Sequence, residues 1–248
     1  EIKFAEKELS EQRDKLAISN ATKNKFFRII AHDLRNPIST LAGSTNLIFN
    51  DFDEYDKEQT KTFIGELNKL SQTTFNLLEN LLDWSSTQMG DISFMPKSID
   101  IKFLVEETIE LIKRKIDYKN ISLNIDVKKN SIALADENMV KTIYRNLLSN
   151  AVKFTPENGT ITVSTEIRDD LIYCTVEDSG IGIEKKDLDK LFKIDQHYTR
   201  LGLDNEKGSG LGLILCKEFV EKNGGKINIE STPDTGTIIR FTLKQYSV

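Results

Sequence analysis

The sequence is poor in the residues that build disulfide frameworks and metal clusters. Its 248 residues include only two cysteines, Cys174 and Cys216, and two histidines, His32 and His197. Two cysteines cannot form a disulfide framework or a cysteine-rich metal site, so we expect two buried thiols in a reducing, cytoplasmic compartment. The chain has no apolar run of about 18 residues and no signal peptide, which predicts no direct membrane contact.

An excess of positive charge is also absent. Thirty-four Lys and Arg residues stand against 39 Asp and Glu residues, which gives a net charge of -5. This balance excludes a bulk basic surface, and we expect no nucleic-acid partner. The remaining composition is that of a globular protein of one or two domains, with 38% hydrophobic and 29% charged residues. Because the chain starts at Glu1 inside an apparent helix, we expect a fragment of a longer protein.

Heptad repeats dominate the first third of the chain. Over residues 1–25 both seams of the repeat contain polar members, namely Gln12, Ser19 and Lys23. A strong zipper would not carry these residues in its seams, so we predict a weak signalling coiled coil that can change register. An amphipathic helix packed on a globular core is the alternative.

Residues 26–90 predict a helical hairpin. The first helical pattern continues to about Asn50. It contains Pro37, and this proline should bend the helix near His32. An acidic turn follows at residues 51–56, and a second heptad lies in the next helix at Phe63, Leu67, Leu70, Thr74, Leu77, Leu81 and Trp84. One hairpin has too few faces to cover two apolar stripes, so we predict a homodimer that forms a four-helix bundle. Met89 to Ser98 is predicted to be the linker.

Residues 98–248 change to mixed helix and strand. Helices are predicted at 101–116, 138–154 and 211–223, a short helix within 183–192, and strands at 121–127, 159–165, 171–176, 226–230 and 237–243. Segregated helices and mostly antiparallel strands predict an α/β sandwich. The complete fold class is therefore α + α/β, a helical hairpin of a dimeric four-helix bundle followed by an α/β sandwich.

A first group of chemically competent residues surrounds His32, which falls on the solvent-facing flank of the first helix. An exposed imidazole can present a neutral nitrogen to an electrophile. Asp33 could orient the ring or accept a proton, and Asn36, one turn further, could hold a water beside it. A merely solvated histidine is the alternative interpretation.

A second group is a polar stripe on the helix predicted at 138–154. Asn146, Asn150 and Lys153 follow one another at i, i+4 and i+7, opposite an apolar face of Val140, Ile143, Tyr144, Leu147 and Ala151. An amide oxygen suits Mg²⁺ and an ammonium suits phosphate, so the stripe indicates a metal–phosphate site. A solvated helix face is the alternative.

Two glycine-rich segments complete the candidates. Asp178-Ser-Gly180-Ile-Gly182 follows an apolar strand, where a carboxylate can accept a hydrogen bond from an amine and glycines let the backbone approach a flat ligand. Gly208-Ser-Gly210-Leu211-Gly212 precedes a helix, which is typical of an anion site. The segment 193–207 before it has no periodicity and is predicted to be a mobile lid.

In their order and spacing these segments resemble the motifs of sensor histidine kinases of two-component systems. His32 to Pro37 resembles the H box, Asn146 to Thr155 the N box, Asp178 to Gly182 the first glycine box and Gly208 to Gly212 the second. Gly236-Thr237 resembles the box that closes the last hairpin. The resemblance covers essentially the whole chain and implies a phosphoacceptor domain over 26–90 and an ATP-binding domain over 98–248.

The resemblance also implies a role for each matching residue. His32 would be the phosphoacceptor, Asp33 would assist the kinase step, and Asn36 would place water in a phosphatase step. In the ATP-binding domain the implied roles are Asn150 as the Mg²⁺ ligand, Asn146 as a nucleotide contact, Lys153 as a phosphate contact, Asp178 as the acceptor of the adenine amine, Gly180 and Gly182 as the adenine pocket, Thr237 as the support of Asp178, and Gly208, Gly210, Leu211 and Gly212 as the phosphate-binding end of the lid.

The implied function is an ATP-dependent protein-histidine kinase. The phosphoryl group would pass from His32 to an Asp of a response-regulator receiver domain, in a cytoplasmic enzyme or the cytoplasmic part of an anchored sensor. One departure is Asp195, which stands where the family often has an aromatic residue. The alternatives are an ATP-driven conformational ATPase, although Tyr144-Arg145-Asn146 offers no acid for hydrolysis, and a catalytically silent dimeric scaffold.

Overall fold

The computed structural model describes residues 8, 9, 12, 13, 28, 31, 33–88, 94–193, 199–203 and 210–246. The chain divides into two compact units, Glu1–Asp91 and Ile92–Val248. Most of the predicted coiled coil lies outside the described residues, and its four described positions are helical and exposed. His32, His197, Asp195 and Gly208 also lie outside them.

The described part of the first unit contains two long helices. Helix α1 covers residues 33–50 and continues through Pro37, a 3-10 turn follows at Phe52–Glu54, and helix α2 covers Lys57–Gln88. The start of α2 is fixed by a reciprocal pair of hydrogen bonds: the Gln59 N–H donates to Asp56 Oδ1 (2.8 Å), and the Asp56 N–H donates to Gln59 Oε1 (3.0 Å). The two predicted helices and the short turn are therefore present, while a bend at Pro37 stays a prediction.

Helix α2 carries two apolar stripes. The predicted heptad positions from Phe63 to Leu81 are half-buried or, at Leu77, buried. A neighbouring stripe is open to solvent, with Ile64 at 57%, Phe75 at 54%, Leu78 at 41% and Leu82 at 56% exposure. The described residues of one chain thus leave a second apolar face of α2 uncovered.

The second unit is built on a five-stranded sheet with the strand order β2-β4-β5-β7-β6. Its strands are β2 (Ser122–Asp126), β4 (Thr160–Arg168), β5 (Leu171–Asp178), β6 (Ile227–Thr232) and β7 (Gly236–Lys244). Only β2 and β4 pair in parallel, and the other neighbours are antiparallel. This agrees with the predicted, mostly antiparallel sandwich.

The described residues of this unit contain four helices beside the sheet: α3 (Ile101–Tyr118), α4 (Glu137–Phe154), α5 (Lys185–Leu188) and α6 (Gly212–Lys222). Helix α4 lies between α3 and α6 and packs on β5. Its predicted apolar face is buried throughout, and Tyr144 on that face contacts Phe241 of β7 edge to face, with ring centroids 5.3 Å apart. Cys174 of β5 and Cys216 of α6 are buried free thiols, as predicted. None of the helices among the described residues is long and apolar enough to cross a membrane.

Two strands were not predicted. Strand β1 (Lys97–Asp100) pairs antiparallel with β3 (Ile132–Ala135) in a separate two-stranded sheet. The linker predicted for Met89 to Ser98 therefore ends inside a strand, because its last two positions, Lys97 and Ser98, lie in β1. Each strand has only four residues, too few for a pattern of alternation to stand out.

Candidate functional site

Helix α4 presents the predicted polar stripe at the surface of the second unit. Asn146, Asn150 and Lys153 are half-exposed, while the opposite face of the helix is buried. The helix starts at Asp136, whose Oδ1 accepts a hydrogen bond from the Met139 N–H (3.1 Å). This capping residue also fixes α4 to its neighbours and so sets the direction in which the stripe faces.

Asp136 is held in place by the buried side-chain amide of Asn223. Asn223, at the end of α6, accepts a hydrogen bond from the Asp136 N–H through Oδ1 (2.8 Å). The second carboxylate oxygen of Asp136 accepts from the Met95 N–H (3.1 Å), in the segment that leads into β1. Asn223 is 7% exposed, so this link between α4 and α6 is shielded from water.

The N-terminus of α6 comes directly against Asn146. A Cβ atom added to Gly212 would lie 2.7 Å from Asn146 Oδ1, so no larger residue fits there without displacement. The Asn146 amide is itself oriented by donating to the Thr142 carbonyl (3.0 Å). Leu211 is buried, and Gly210 has φ of +68°. Gly212 therefore packs against Asn146, with Gly210 and Leu211 directly before it in the chain, and their common role in binding stays a prediction.

Asp178 lies at the end of β5, opposite Thr237 of β7. Burial raises the pKa of its carboxyl to about 6, and the backbone N–H groups of Gly180 and Thr237 lower that pKa in part. The bond from Gly180 N to Asp178 Oδ1 is 2.9 Å long. A half-buried carboxylate held in this way is a suitable acceptor for an amine.

The glycines beside Asp178 pack against protein backbone and not, as the sequence predicts, around a space left for a flat ligand. A Cβ on Gly180 would lie 2.5 Å from the Phe154 carbonyl oxygen, and one on Gly182 would lie 1.9 Å from the Thr232 carbonyl oxygen. Gly182 also has φ of +60°, a conformation that favours glycine. The space a side chain would need is filled by protein backbone, so at these two positions glycine permits the loop to pack on α4 and on the β6–β7 turn.

Ser231 is a site residue that the sequence analysis missed. Its hydroxyl donates to the Gly236 carbonyl (2.8 Å), accepts from the Ile183 N–H (2.9 Å) and lies 2.9 Å from the Thr237 hydroxyl. It thereby joins the loop after Asp178 to the β6–β7 hairpin. A lone serine in a strand gives no sequence signal for such a role.

The described part of the predicted lid, residues 199–203, contacts both sides of this site. Arg200 donates from Nη1 to the Gly182 carbonyl (2.9 Å), and the Leu203 N–H lies 3.4 Å from the Lys153 carbonyl. Gly202 packs on the stem of Lys153, since an added Cβ would lie 2.6 Å from its Cγ. No pattern in the sequence indicates this role for Arg200. These contacts join residues 199–203, the lid segment, to α4 and to residues 180–182, the glycine loop.

In the first unit, the described candidate residues are Asp33 and Asn36 on α1. Asp33 is half-exposed and Asn36 is exposed, while the Asn36 carbonyl accepts from the Thr40 hydroxyl (3.0 Å). Both side chains are open to solvent near position 32.

Family comparisons agree with this two-part organisation. Residues 22–90 match the His Kinase A (phospho-acceptor) domain, and residues 135–247 match the histidine kinase-, DNA gyrase B- and HSP90-like ATPase family. The chain is 31% identical over 237 residues to the non-motile and phage-resistance protein of Caulobacter vibrioides, covering 94% of this chain and 28% of that protein.

A second relative and a solved structure give the same result. The chain is 27% identical over 251 residues to the cell-division control histidine kinase PdhS of Brucella anthropi, covering 96% of this chain and 24% of that protein. The chain thus spans about a quarter of the length of these relatives. The crystal structure of histidine kinase ThkA in complex with the response regulator protein TrrA matches with a TM-score of 0.71 and 22% identity, over 96% of this chain and 65% of that one.

The structural match establishes the fold, a helical region followed by an α/β domain. The two domain families and the named relatives establish the class of protein. The chain belongs to the sensor histidine kinases, with a phosphoacceptor domain followed by an ATP-binding domain.

Proposed function

We propose that this chain transfers the γ-phosphoryl group of ATP to His32 and then to an Asp of a response-regulator receiver domain. The observation that carries the proposal is the convergence of the polar stripe of α4, the Asp178 loop and the start of α6. Gly180 abuts the Phe154 carbonyl, and Gly212 abuts the Asn146 amide, so α4 joins the other two elements.

Each element suits one part of ATP. Asp178 would accept from the adenine amine, with Thr237 beside it and the Gly180–Gly182 loop shaping the pocket. The Asn146 amide would contact the nucleotide, and the Lys153 ammonium and the segment of Gly208, Gly210, Leu211 and Gly212 would meet the phosphates.

Mg²⁺ fits this site with Asn150 as its protein ligand. Among the described residues no cluster of three His, Cys, Asp or Glu side chains could hold a metal ion. Mg²⁺ commonly takes few protein ligands and completes its octahedron with substrate phosphates and water, so a single amide oxygen is chemically sufficient. The ion would neutralise phosphate charge during transfer.

The phosphoacceptor step would use His32, which directly precedes the described residues of α1 in the sequence, with Asp33 as its assisting acid or base. The exposed amide of Asn36 supports a second activity, hydrolysis of the phosphorylated response regulator. The uncovered stripe of α2 supports a homodimer in which two hairpins form a four-helix bundle. The buried free thiols Cys174 and Cys216 support a reducing, cytoplasmic setting.

Incubation with γ-labelled ATP and Mg²⁺ tests this proposal. We expect an acid-labile, base-stable label in the wild type and in His197→Ala and Asn138→Ala, which are matched controls for residue type. His32→Ala and Asn150→Ala should carry no label. Label that survives in His32→Ala would contradict the assigned phosphoacceptor. Steady ATP hydrolysis without a phosphoprotein would instead favour a conformational ATPase.

A further inference from the structure

The C-terminus of α4 is joined to three different parts of the second unit through its last carbonyl groups. The last four carbonyls of a helix have no partner within the helix and must be satisfied from outside. The Phe154 carbonyl accepts from the Ile181 N–H in the glycine loop (3.2 Å), and the Lys153 carbonyl faces the Leu203 N–H of the lid segment (3.4 Å). The end of α4 is thus the point from which the loop and the lid segment are held.

Two further carbonyls at this terminus accept hydrogen bonds from a buried lysine at the end of α3. Lys119 Nζ donates to the Val152 carbonyl (3.0 Å) and to the Thr155 carbonyl (3.3 Å). The backbone carbonyl of Lys119 accepts from the Asn158 N–H (2.9 Å), in the loop after α4. Lys119 is 5% exposed. Its side chain holds the C-terminus of α4, and its backbone holds the loop that follows.

We propose that Lys119 is a positioning residue for the nucleotide step, because it holds the end of α4 in the geometry that presents the Lys153 and Phe154 carbonyls to the lid and the glycine loop. This inference rests on the proposed binding of ATP at the site. Lys119 does not touch the nucleotide itself. It acts through α4, on which the amides of Asn146 and Asn150 are carried.

Two physical arguments support a lysine at this position. Burying an ammonium group is costly unless it is hydrogen-bonded, and an apolar side chain of the same length would fill the space without that cost. The C-terminus of a helix also carries a partial negative charge, which opposes the binding of a polyphosphate nearby. The ammonium group of Lys119 offsets this negative charge, and its hydrogen bonds hold the Val152 and Thr155 carbonyls in place.

The test compares Lys119→Met and Lys119→Arg with the wild type and with Lys113→Met. Lys113 lies on α3, the helix that Lys119 follows, and it is exposed and pairs only weakly, with its Nζ 3.6 Å from Glu110. Three quantities are measured on the full chain: the dissociation constant of a fluorescent ATP analogue with Mg²⁺, the autophosphorylation rate at saturating ATP, and amide hydrogen exchange at Ile181 and Leu203 without nucleotide.

We expect Lys119→Met to weaken nucleotide binding about tenfold and to speed both amide exchanges about tenfold, because two charge-assisted hydrogen bonds are lost. The rate at saturating ATP should fall less than the affinity, Lys119→Arg should restore most of the affinity, and Lys113→Met should resemble the wild type. Wild-type affinity and exchange in a Lys119→Met protein of lower melting temperature would overturn the inference and leave only a role in stability.

If Lys119→Met does not fold, Lys119→Gln takes its place. Unchanged affinity and exchange in the glutamine variant would then overturn the inference, and a loss of affinity that arginine does not share would support it. A wild type that binds no nucleotide would instead refute the proposed function. The exchange of Ile181 and Leu203 would still decide whether Lys119 holds the loop and the lid segment.

Discussion

Replacing Asp178 by Asn should change how the stability of the second unit depends on pH. Burial raises the pKa of this carboxyl from an ordinary 3.8 to about 6 in the folded chain, a shift that corresponds to about 3 kcal/mol. The amide in Asp178→Asn cannot titrate, but it can still accept a hydrogen bond from Gly180 through its oxygen. The two proteins therefore differ mainly in one ionisation.

The sign follows from proton binding. Between about pH 4 and pH 6 the folded Asp178 keeps a proton that the unfolded chain has already lost, so stability falls as the pH rises through this window. Above about pH 6 the full cost of a buried carboxylate is present. The free energy of unfolding of the wild type should therefore drop by about 2 kcal/mol relative to Asp178→Asn between pH 4 and pH 7.

Urea unfolding followed by amide NMR measures this difference for the second unit separately from the first. The constant offset between the two proteins reports the hydrogen bond that the amide makes or loses, whereas the slope with pH reports the titration alone. A difference that stays within about 1 kcal/mol across the whole range would refute the raised pKa. A difference that grows in favour of the wild type at high pH would mean that the site stabilises the carboxylate instead.

Three further substitutions test the site and the assembly. Gly182→Ala should abolish nucleotide binding and destabilise the fold more than Gly224→Ala, which has a similar positive φ but open space around it and should cost about 1–2 kcal/mol in thermal unfolding. Arg200→Ala frees the Gly182 carbonyl and should weaken nucleotide binding in a fluorescence titration by about tenfold. Leu78→Asp should convert a dimer into a monomer in sedimentation equilibrium, whereas Gln72→Asp on the same helix should not.

Local periodicity was sufficient to predict most elements of the fold. The buried face of α4 follows the 3.6-residue repeat, so its five apolar positions could be named from the sequence and all are buried. Strands β1 and β3 could not be named because each is short and their pairing joins residues about 35 positions apart. Strand β3 also contains two alanines, Ala133 and Ala135, and alanine is not a strand-forming residue.

The candidate site divides in the same way. Asp178, Asn150 and Lys153 could be named as candidates from the sequence because their side chains have chemistry of their own. Ser231 and Arg200 act on backbone carbonyl or N–H groups that only the folded chain brings near them. Almost every residue has these backbone groups, so no pattern of residue types indicates which of them a side chain will bind in the folded chain.

The glycines of the candidate site have a structural reason that differs from the one expected from the sequence. Gly180 and Gly182 were expected to let the backbone approach a flat ligand, yet the volume beside them is filled by the carbonyls of Phe154 and Thr232. Glycine is required there before any ligand binds, because the loop must pack directly on α4 and on the β6–β7 turn. A side chain at either position would shift the loop that carries the Asp178 hydrogen bond, so both glycines position the carboxylate as well as the space around it.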